Sequence, residues 1–349
     1  MVSFPHGPID EALDRSREDG ARGDGAMVRP HHRRTLPLRV GTRASPLALY
    51  QTRHFLDIIT RFCPVLRDAK AFEENQISTA GDRIQDRRLS EIGGKGLFAK
   101  EIHEALLDGR VDFAVHSLKD LETELPKGIM LACTLKREDA RDALILGAGV
   151  EQAVCPDDPL ACIPHGALIG TSSVRRQAQL LYARPDLRIG MLRGNVQTRL
   201  SRVREGHLAG SLLAYAGLKR LDLEREADIV LPEHVMLPAC CQGIIGVTVR
   251  SDDHELLELL SAIEDPVARA VSTAERSLLA ALDGSCNTPI GGHARMLPGG
   301  DIAVEALVAR PDGSFLMRRS LSGHGLDAAR IGRELGESLY RDAPADLFA

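Results

Sequence analysis

Aromatic residues are scarce in this sequence, and tryptophan is missing altogether. Phe, Trp and Tyr together make up 3% of the 349 residues. Proteins that bind single-stranded nucleic acid use aromatic side chains as stacking platforms for bases, so the composition disfavours that class. The formal net charge of −5 argues the same way, because no global excess of basic residues attracts a phosphate backbone. We therefore expect no nucleic-acid partner, and any anion site must be local.

Long apolar runs and paired cysteines are missing as well. No stretch approaches the roughly 20 apolar residues of a membrane span, so we expect no membrane partner. The first 35 residues lack the apolar centre of a signal peptide, and their acidic residues argue against an organelle transit peptide. We expect a disordered leader at 1–35 and a cytoplasmic protein. Seven cysteines without a CxxC pair favour neither a disulfide framework nor a zinc site, and His31-His32 has no further spaced ligands.

Short apolar strands alternate with amphipathic helices from Leu38 onwards. The predicted strands are 38–42, 111–115, 167–170, 187–192, 211–215 and 243–249, and the predicted helices are 46–63, 97–107, 174–183, 196–205 and 271–282. This alternation predicts an α/β architecture with mostly parallel sheets. Loop-forming residues at 147–164 indicate a crossing between domains. Asp265-Pro266 is typical of a helix start and opens a C-terminal α+β segment.

Basic residues stand at four predicted strand-to-helix junctions. A helix N-terminus is already positive, so a cation is unfavourable there unless an anion binds. In open α/β sheets such junctions converge at the carboxyl ends of the strands, where ligands bind. The basic residues and the hydroxyl residues that precede two of the helices are Arg43 with Ser45, Lys95, Arg175 and Arg176 with Thr171 and Ser173, and Arg193 with Arg199.

Arginine predominates at these junctions, which fits bidentate contacts to planar carboxylates. Phosphate is the competing anion and stays open, although the sequence contains neither the GxxxxGK[ST] nor the GxGxxG pattern. Several carboxylates are the more economical ligand for four such junctions.

Two further residues are candidates for chemistry. Asp120 follows the predicted inner strand 111–115 and is placed to pass a proton or to stabilise a developing cation. The alternative is an ordinary turn in which Asp and Ser accept backbone N–H groups. Cys286 falls in the loop 283–289 after a predicted helix, where no adjacent base lowers the pKa of its thiol. A thiol of this kind is suited to attack a reactive electrophile and unsuited to hydrolytic catalysis. The alternative is that Cys286 is an ordinary loop cysteine.

The segments that carry these residues together resemble the hydroxymethylbilane synthase, or porphobilinogen deaminase, family. They follow one another in unbroken order from Leu38 to the C-terminus. They are RVGTRASPLAL (39–49), GGKGLFAKEI (93–102), VHSLKDL (115–121), GTSSVRRQAQL (170–180), LRGNVQTRL (192–200), AGLKRL (216–221) and DGSCNTPIG (283–291).

The resemblance implies a transferase of tetrapyrrole and haem biosynthesis. Such an enzyme deaminates four porphobilinogen units, adds them to a dipyrromethane cofactor joined to a cysteine by a thioether, and releases linear hydroxymethylbilane by hydrolysis. Each unit brings two carboxylates, which suits a site rich in arginine. We expect porphobilinogen as the small-molecule partner, and a monomer. The alternative is a carboxylate-binding protein of the same fold without chemistry, which gives Cys286 no role; a phosphate-handling transferase lacks its P-loop.

Residue by residue, the resemblance implies that Asp120 is catalytic and that Cys286 anchors the cofactor. The implied cofactor-binding residues are Lys119, Ser117, Thr171, Ser173, Arg175, Arg176 and Arg193. The implied substrate-binding residues are Arg43, Ser45, Arg199, Lys95, Arg220 and Gln242. The sequence departs from the family pattern at Glu91, Glu122 and Cys240-Cys241, none of which is among these residues.

The implied fold has two α/β domains that flank a cleft, like periplasmic binding proteins, plus a small C-terminal α+β domain. We expect the first domain at 36–136 and 238–262, carrying Asp120. The second is expected at 148–237, with most of the arginines, and the third at 265–349, with Cys286.

Overall fold

Three β-sheets organise the chain in the computed structural model, which describes residues 35–84, 87, 96–150, 158–282 and 288–348. The first sheet has the order β2-β1-β3-β10-β4 and the second the order β7-β6-β8-β5-β9. The strands of the first are β1 (Leu38–Thr42), β2 (Phe72–Gln76), β3 (Phe113–Ser117), β4 (Ile129–Thr134) and β10 (Ile245–Arg250). Those of the second are β5 (Asp142–Leu146), β6 (Leu168–Gly170), β7 (Arg188–Gly190), β8 (Gly210–Ala214) and β9 (Ile229–Val230).

Both sheets follow one pattern. Three strands run parallel, and the fourth lies antiparallel to both of its neighbours. The prediction of an α/β fold with two such units is confirmed. The expectation of mostly parallel sheets holds for strand direction, since four of the five strands in each sheet run the same way, but it misses the single antiparallel strand, β10 in the first sheet and β5 in the second. β10 lies about 130 residues after its neighbour β3, and β5 about 70 residues before its neighbour β8, and no local pattern reveals such partners.

The helices largely match their predicted spans, because their caps are local signals. In chain order they are α1 (Pro46–Phe62), α2 (Val65–Asp68), α3 (Ala80–Arg83), α4 (Lys100–Leu107), α5 (Val174–Ala183), α6 (Val196–Arg204), α7 (Tyr215–Arg220), α8 (His254–Ser261), α9 (Pro266–Ala281) and α10 (Ala328–Asp342). Ser45, Ser173 and Asn195 cap α1, α5 and α6, and Asp265 with Pro266 opens α9 as expected. α4 begins three residues later than predicted, after a turn in which Gly96 has φ +80°.

The change of sheet lies earlier than the sequence indicates. β5 begins at Asp142 and pairs with β8 of the second sheet. The chain therefore leaves the first sheet after Thr134, and residues 135–141 make the crossing instead of 147–164. The return crossing joins β9 to β10 through residues 231–244.

A third, antiparallel sheet closes the chain, with β11 (Ile290–Met296), β12 (Asp301–Ala309) and β13 (Leu316–His324) in sequential order. α9 and α10 bury a shared apolar core with it, including Leu278, Ile331 and Val304. The two helices approach so closely that a Cβ atom at Gly332 would lie 2.0 Å from the carbonyl oxygen of Ala274. This small α+β unit confirms the predicted C-terminal architecture.

Candidate active site

Asp120 ends a short 3₁₀ turn, Leu118–Asp120, that follows the middle strand of the first sheet; we call it the Asp120 turn. Leu118 is 1% exposed and donates its N–H to the carbonyl of Ile244 at 2.9 Å, which anchors the turn. The Asp120 side chain keeps 27% of its surface exposed, and its Oδ2 lies 3.5 Å from Nη1 of Arg43. A cavity opens beside this carboxylate, lined also by Ser45, Gln51, Phe98, His116, Ser117 and Lys119. Asp120 thus faces a cation and a cavity.

Arg43 is held from two sides. Its guanidinium lies 4.2 Å from the centre of the Phe98 ring, a cation–π distance. Its Nε also donates to both carboxylate oxygens of Asp82 at 3.2 Å, while the Thr79 hydroxyl donates to Asp82 at 2.8 Å. The junction ahead of α1 therefore presents a preorganised arginine beside Asp120.

Lys119 is joined to the second sheet through Gln242. The Lys119 ammonium donates to Oε1 of Gln242 at 3.1 Å, and the Gln242 amide donates to Oδ1 of Asp142 at 2.9 Å and to the Ala140 carbonyl at 2.7 Å. Desolvation of the ammonium group lowers the pKa of Lys119 to about 8, although the residue as a whole is exposed. Both N–H groups of Gln242 are used within the protein, so this residue links the Asp120 turn to the second sheet.

Arg175 and Arg176 converge on one buried carboxylate. Asp142 lies 2.8 Å from Nη2 of Arg175 and 2.7 Å from Nη2 of Arg176, and its side chain is 0% exposed. Burial opposes the ionisation of Asp142, but the two guanidinium groups and the amide of Gln242 hold its pKa well below the usual range. Each arginine also donates to a carbonyl, that of Leu237 for Arg175 and that of Leu212 for Arg176. Both cations therefore help to hold the second sheet together as well as flanking the site.

Arg199 differs from this pair because no ion pair joins it to a carboxylate within the described ranges. Its Nε donates to the Gly194 carbonyl at 2.8 Å, across the first turn of α6. Burial, then repulsion from Arg176, Arg193 and Arg43, lowers its pKa to about 10, and Asp120 acts in the opposite direction. A half-buried guanidinium surrounded by like charges is a binding position for an anionic group.

The hydroxyl residues and Arg193 complete the surroundings. Ser45 Oγ caps α1, and Ser117 exchanges hydrogen bonds with the Gln51 amide at 2.9 and 3.0 Å. Thr171 Oγ1 accepts from the N–H of Ser173 at 3.1 Å. The Ser173 hydroxyl in turn accepts from the N–H of Arg176, which leaves each hydroxyl proton of this pair available as a donor. Arg193 donates to the carbonyls of Gly81 and Arg87 at 3.1 and 2.8 Å, so it connects α6 to the first sheet's helices.

One predicted residue, Arg220, lies apart from this arrangement. Arg220 lines a separate groove with Tyr50 and His54, and its Nη2 donates to the Gly243 carbonyl at 2.6 Å. Burial lowers the pKa of Arg220 to about 10. Lys95 and Cys286 lie outside the described residues, as do Glu91 and His31-His32.

Sequence reasoning missed Asp142, Asp82 and Phe98 as members of the site. Asp142 could have been predicted from the sequence, since it is the one charged residue in the otherwise apolar strand Asp142–Leu146. Asp82 and Phe98 could not, because their contacts with Arg43 depend on how two distant segments pack.

Metal-type clusters and membrane-spanning helices are absent from the described residues. Across the described ranges, no group of three or more His, Cys, Asp or Glu side chains is arranged to hold a metal ion. None of the helices in those ranges combines the length and apolarity needed to cross a bilayer. The described cysteines are unpaired thiols, of which Cys133, Cys162, Cys240 and Cys241 are buried.

Comparison with known proteins supports the resemblance over most of the chain. Residues 38–258 match the family profile described as "Porphobilinogen deaminase, dipyromethane cofactor binding domain", and residues 269–341 match "Porphobilinogen deaminase, C-terminal domain". The chain is 46% identical over 312 residues to a porphobilinogen deaminase of Roseiflexus castenholzii, covering 89% of this chain and 98% of the relative. It is 44% identical over 312 residues to that of Paracoccus denitrificans, with 89% and 96% covered.

A chloroplastic porphobilinogen deaminase of Oryza sativa is also similar, at 42% identity over 313 residues, with 89% of this chain and 85% of the relative covered. Both family profiles fall on the segments that build the three sheets and the Asp120 turn. The chain belongs to the porphobilinogen deaminase family.

Proposed function

We propose that this chain is a hydroxymethylbilane synthase. It deaminates four porphobilinogen units, adds them to a cysteine-linked dipyrromethane cofactor and releases linear hydroxymethylbilane by hydrolysis, a transferase reaction of tetrapyrrole and haem biosynthesis. The observation that carries this proposal is the family match over 38–258, whose description names the cofactor, combined with a partly exposed Asp120 beside Arg43.

The residues present fit a ligand with several carboxylates. Arg199 has no carboxylate partner in the described part of the chain, and burial followed by repulsion from its neighbouring arginines lowers its pKa to about 10. A bound carboxylate would relieve that repulsion. The residues that would hold the dipyrromethane are Lys119, Ser117, Thr171, Ser173, Arg175, Arg176 and Arg193, with Cys286 as the covalent anchor. When bound, the dipyrromethane supplies the pyrrole terminus onto which new units are added.

Arg175 and Arg176 are assigned to this set through their outer N–H groups. A guanidinium has five donors, and the bonds to Asp142 and to the backbone carbonyls use only some of them. Asp142 fixes the position of both side chains before any ligand arrives, which reduces the entropy lost on binding. We assign porphobilinogen carboxylates to Arg43, Ser45, Arg199, Lys95 and Arg220, with Gln242 acting indirectly through Lys119.

Asp120 performs the proton chemistry at the substrate. As an acid it gives its proton to the aminomethyl group, so that the C–N bond breaks and ammonia leaves. The resulting carboxylate then faces the positive charge that develops on the pyrrole nitrogen. Arg43, 3.5 Å from Oδ2, orients the carboxylate.

The direct test is the intact mass of the purified protein. It should exceed the sequence mass by one dipyrromethane, located on the peptide that contains Cys286. Cys286→Ala should fold like the parent yet lack both the added mass and activity, whereas Cys63→Ala, at a partly buried cysteine elsewhere, serves as the matched control. A parent protein that carries no added mass, even after incubation with porphobilinogen, would overturn the proposal.

We also propose the domain arrangement and setting of the enzyme. The sheet membership of β10 supports a first domain at 36–136 and 238–262, and the second domain, expected at 148–237, gains β5 at its start. The third spans 265–349. We propose a cytoplasmic monomer with porphobilinogen as its partner. Gel filtration coupled to light scattering tests the monomer, and fractionation tests the compartment, since one relative is chloroplastic.

A further inference from the structure

A buried histidine and a partly buried glutamate lie side by side behind the Asp120 turn without a hydrogen bond between them. His103 on α4 is 2% exposed, and its Nδ1 lies 3.9 Å from Oε2 of Glu122, two residues after Asp120. Among the described residues, neither ring nitrogen of His103 nor Oε2 of Glu122 has a hydrogen-bond partner. Buried polar atoms are nearly always bonded. An approach of about 1 Å would bring this pair to hydrogen-bond length.

The backbone carbonyl of Glu122 and its second carboxylate oxygen already have close neighbours. Nη2 of Arg276, on α9, donates to the Glu122 carbonyl at 2.7 Å and to that of Thr123 at 2.8 Å. The Glu122 carboxyl also abuts Gly96, where a Cβ atom would lie only 1.9 Å from Oε1. The backbone after the Asp120 turn is thus tied to α9, and the side chain of Glu122 is confined to the space beside His103.

We propose that His103 and Glu122 form a positioning pair for the Asp120 turn, in which the Nδ1–H of His103 donates to Oε2 of Glu122. The pair joins α4 to the chain two residues after Asp120 and limits how far the Asp120 carboxylate moves during the reaction. This inference rests on the proposed catalytic role of Asp120. His103 and Glu122 act through the turn and touch neither substrate nor cofactor.

The charged groups around the pair define how it responds to pH. His116 on β3 faces His103 with ring centres 5.9 Å apart, and burial lowers its pKa to about 3, so it stays neutral. Glu101 on α4 has Oε1 engaged by Ala80 and Arg83, and Arg276 faces the Glu122 backbone. Burial lowers the pKa of His103, and Glu122 acts in the opposite direction. His103 is therefore neutral at pH 7, and acid adds a second proton that strengthens its attraction to Glu122.

Two substitutions of His103 test the positioning role. His103→Asn keeps an N–H group near the place of Nδ1, whereas His103→Leu keeps bulk and removes the donor. We expect the Leu variant to lose about 10-fold in kcat with KM nearly unchanged, the effect of one lost hydrogen bond to a charged group. The kcat of the Asn variant should stay within a few-fold of the parent value. The control Glu124→Gln, at an exposed position nearby, should have the kcat of the parent. Equal kcat in the parent and both His103 variants, or equal losses in both, would overturn the proposal.

A second readout does not depend on activity. Long-range ¹H–¹⁵N spectra report the tautomer and pKa of His103, whose signals are identified as those missing from the His103→Asn spectrum. We expect the Nδ1–H tautomer, and in Glu122→Gln a His103 pKa that falls further below its parent value because the neighbouring carboxylate is gone. An Nε2–H tautomer, or a His103 titration unchanged by Glu122→Gln, contradicts the pair even if the enzyme proves to be active. If the pair is confirmed but no turnover is found, the proposed function fails instead.

Discussion

Asp120 and Asp142 belong to the same hydrogen-bond network, but they differ in burial and in the number of cations that contact them. Asp142 is fully buried and is held by Arg175, Arg176 and Gln242. Asp120 keeps 27% of its side-chain surface exposed, and its contact with Arg43 is a long one, at 3.5 Å. One carboxylate is locked in its charged form, and the other retains access to a cavity and to solvent.

The difference separates a structural carboxylate from a reactive one. A group that must give and take a proton cannot be neutralised by several close cations, because these would stabilise only its ionised form. Conversely, a carboxylate that aligns two arginines needs constant charge. The link through Lys119 and Gln242 joins the two, so that the positions of the arginines in the second sheet are tied to the turn in the first.

The largest effect should come from Asp120→Asn. Asparagine keeps the shape and a hydrogen bond but neither exchanges a proton nor carries charge. We expect turnover to fall by roughly 10²–10⁴-fold, the usual scale for a positioned acid–base group, with the melting temperature and the bound cofactor retained. The turnover of Asp120→Glu should lie between those of the parent and of Asp120→Asn. Steady-state turnover per cofactor-loaded molecule measures the effect, and a value within a few-fold of the parent would reduce Asp120 to a turn residue.

Asp142→Asn should show the opposite profile, a loss of stability before a loss of chemistry. Removing this charge leaves two buried guanidinium groups without compensation, which destabilises proteins by about 3–5 kcal/mol. The folded-state pKa of Asp142 is depressed, so its stabilisation is present at neutral pH and is lost only as pH falls through that low value. Urea unfolding at pH 7 measures the effect.

The matched control for Asp142 is Asp346→Asn. Asp346 pairs with Arg310 at 2.8 Å, but its side chain is 68% exposed, and exposed pairs contribute about 0–1 kcal/mol. Similar losses in both variants would show that burial does not set the importance of Asp142.

A smaller effect is expected from Arg199→Lys. Lysine keeps the charge but not the planar, bidentate geometry that suits a carboxylate. We expect kcat/KM for porphobilinogen to fall about 10-fold, the effect of one lost charged hydrogen bond, with little change in stability. Arg202→Lys, an exposed neighbour on the same helix α6, should behave like the parent. A drop in melting temperature without any separate change in turnover would instead make Arg199 a structural residue.

The smallest expected effect concerns the pH dependence of Lys119. Its pKa is lowered to about 8, so it loses its charge as pH rises through 8. The apparent affinity for porphobilinogen should therefore weaken between about pH 7.5 and 9. Lys119→Met should abolish this alkaline loss of affinity, whereas the control Lys127→Met, at an exposed lysine, should keep it. Because the unfolded chain holds this proton up to about 10.5, stability should rise with pH between 8 and 10.5. If Lys119→Met still loses affinity as the pH rises, the titrating group is not Lys119.

The parts of the fold and site that the sequence predicts are those with local causes. The caps Ser45, Ser173 and Asn195 bond to N–H groups three residues away, and they place the arginines at helix starts correctly. Asp120 follows directly from a recognisable inner strand. Both features can be read within a window of a few residues.

The remaining parts depend on contacts between distant residues. β10 pairs with β3 across some 130 residues of chain, as in Thr248 opposite Ala114, so the antiparallel strand of the first sheet could not be predicted locally. The partner of Arg176 is 34 residues away, and Gln242 bonds to Asp142 across 100 residues. Hydrophobic periodicity carries no information on such partners, so the sequence does not reveal that Arg43, Arg175 and Arg176 are paired with carboxylates.

The most direct test of the different roles of Asp120 and Asp142 is an intact-mass time course with porphobilinogen. The parent should show the cofactor mass followed by added units of up to four substrates. Asp120→Asn should show the cofactor mass with almost no added units, and the folded fraction of Asp142→Asn should still add them. Addition of units by Asp120→Asn at the parent's rate would contradict the assignment of the chemistry to Asp120.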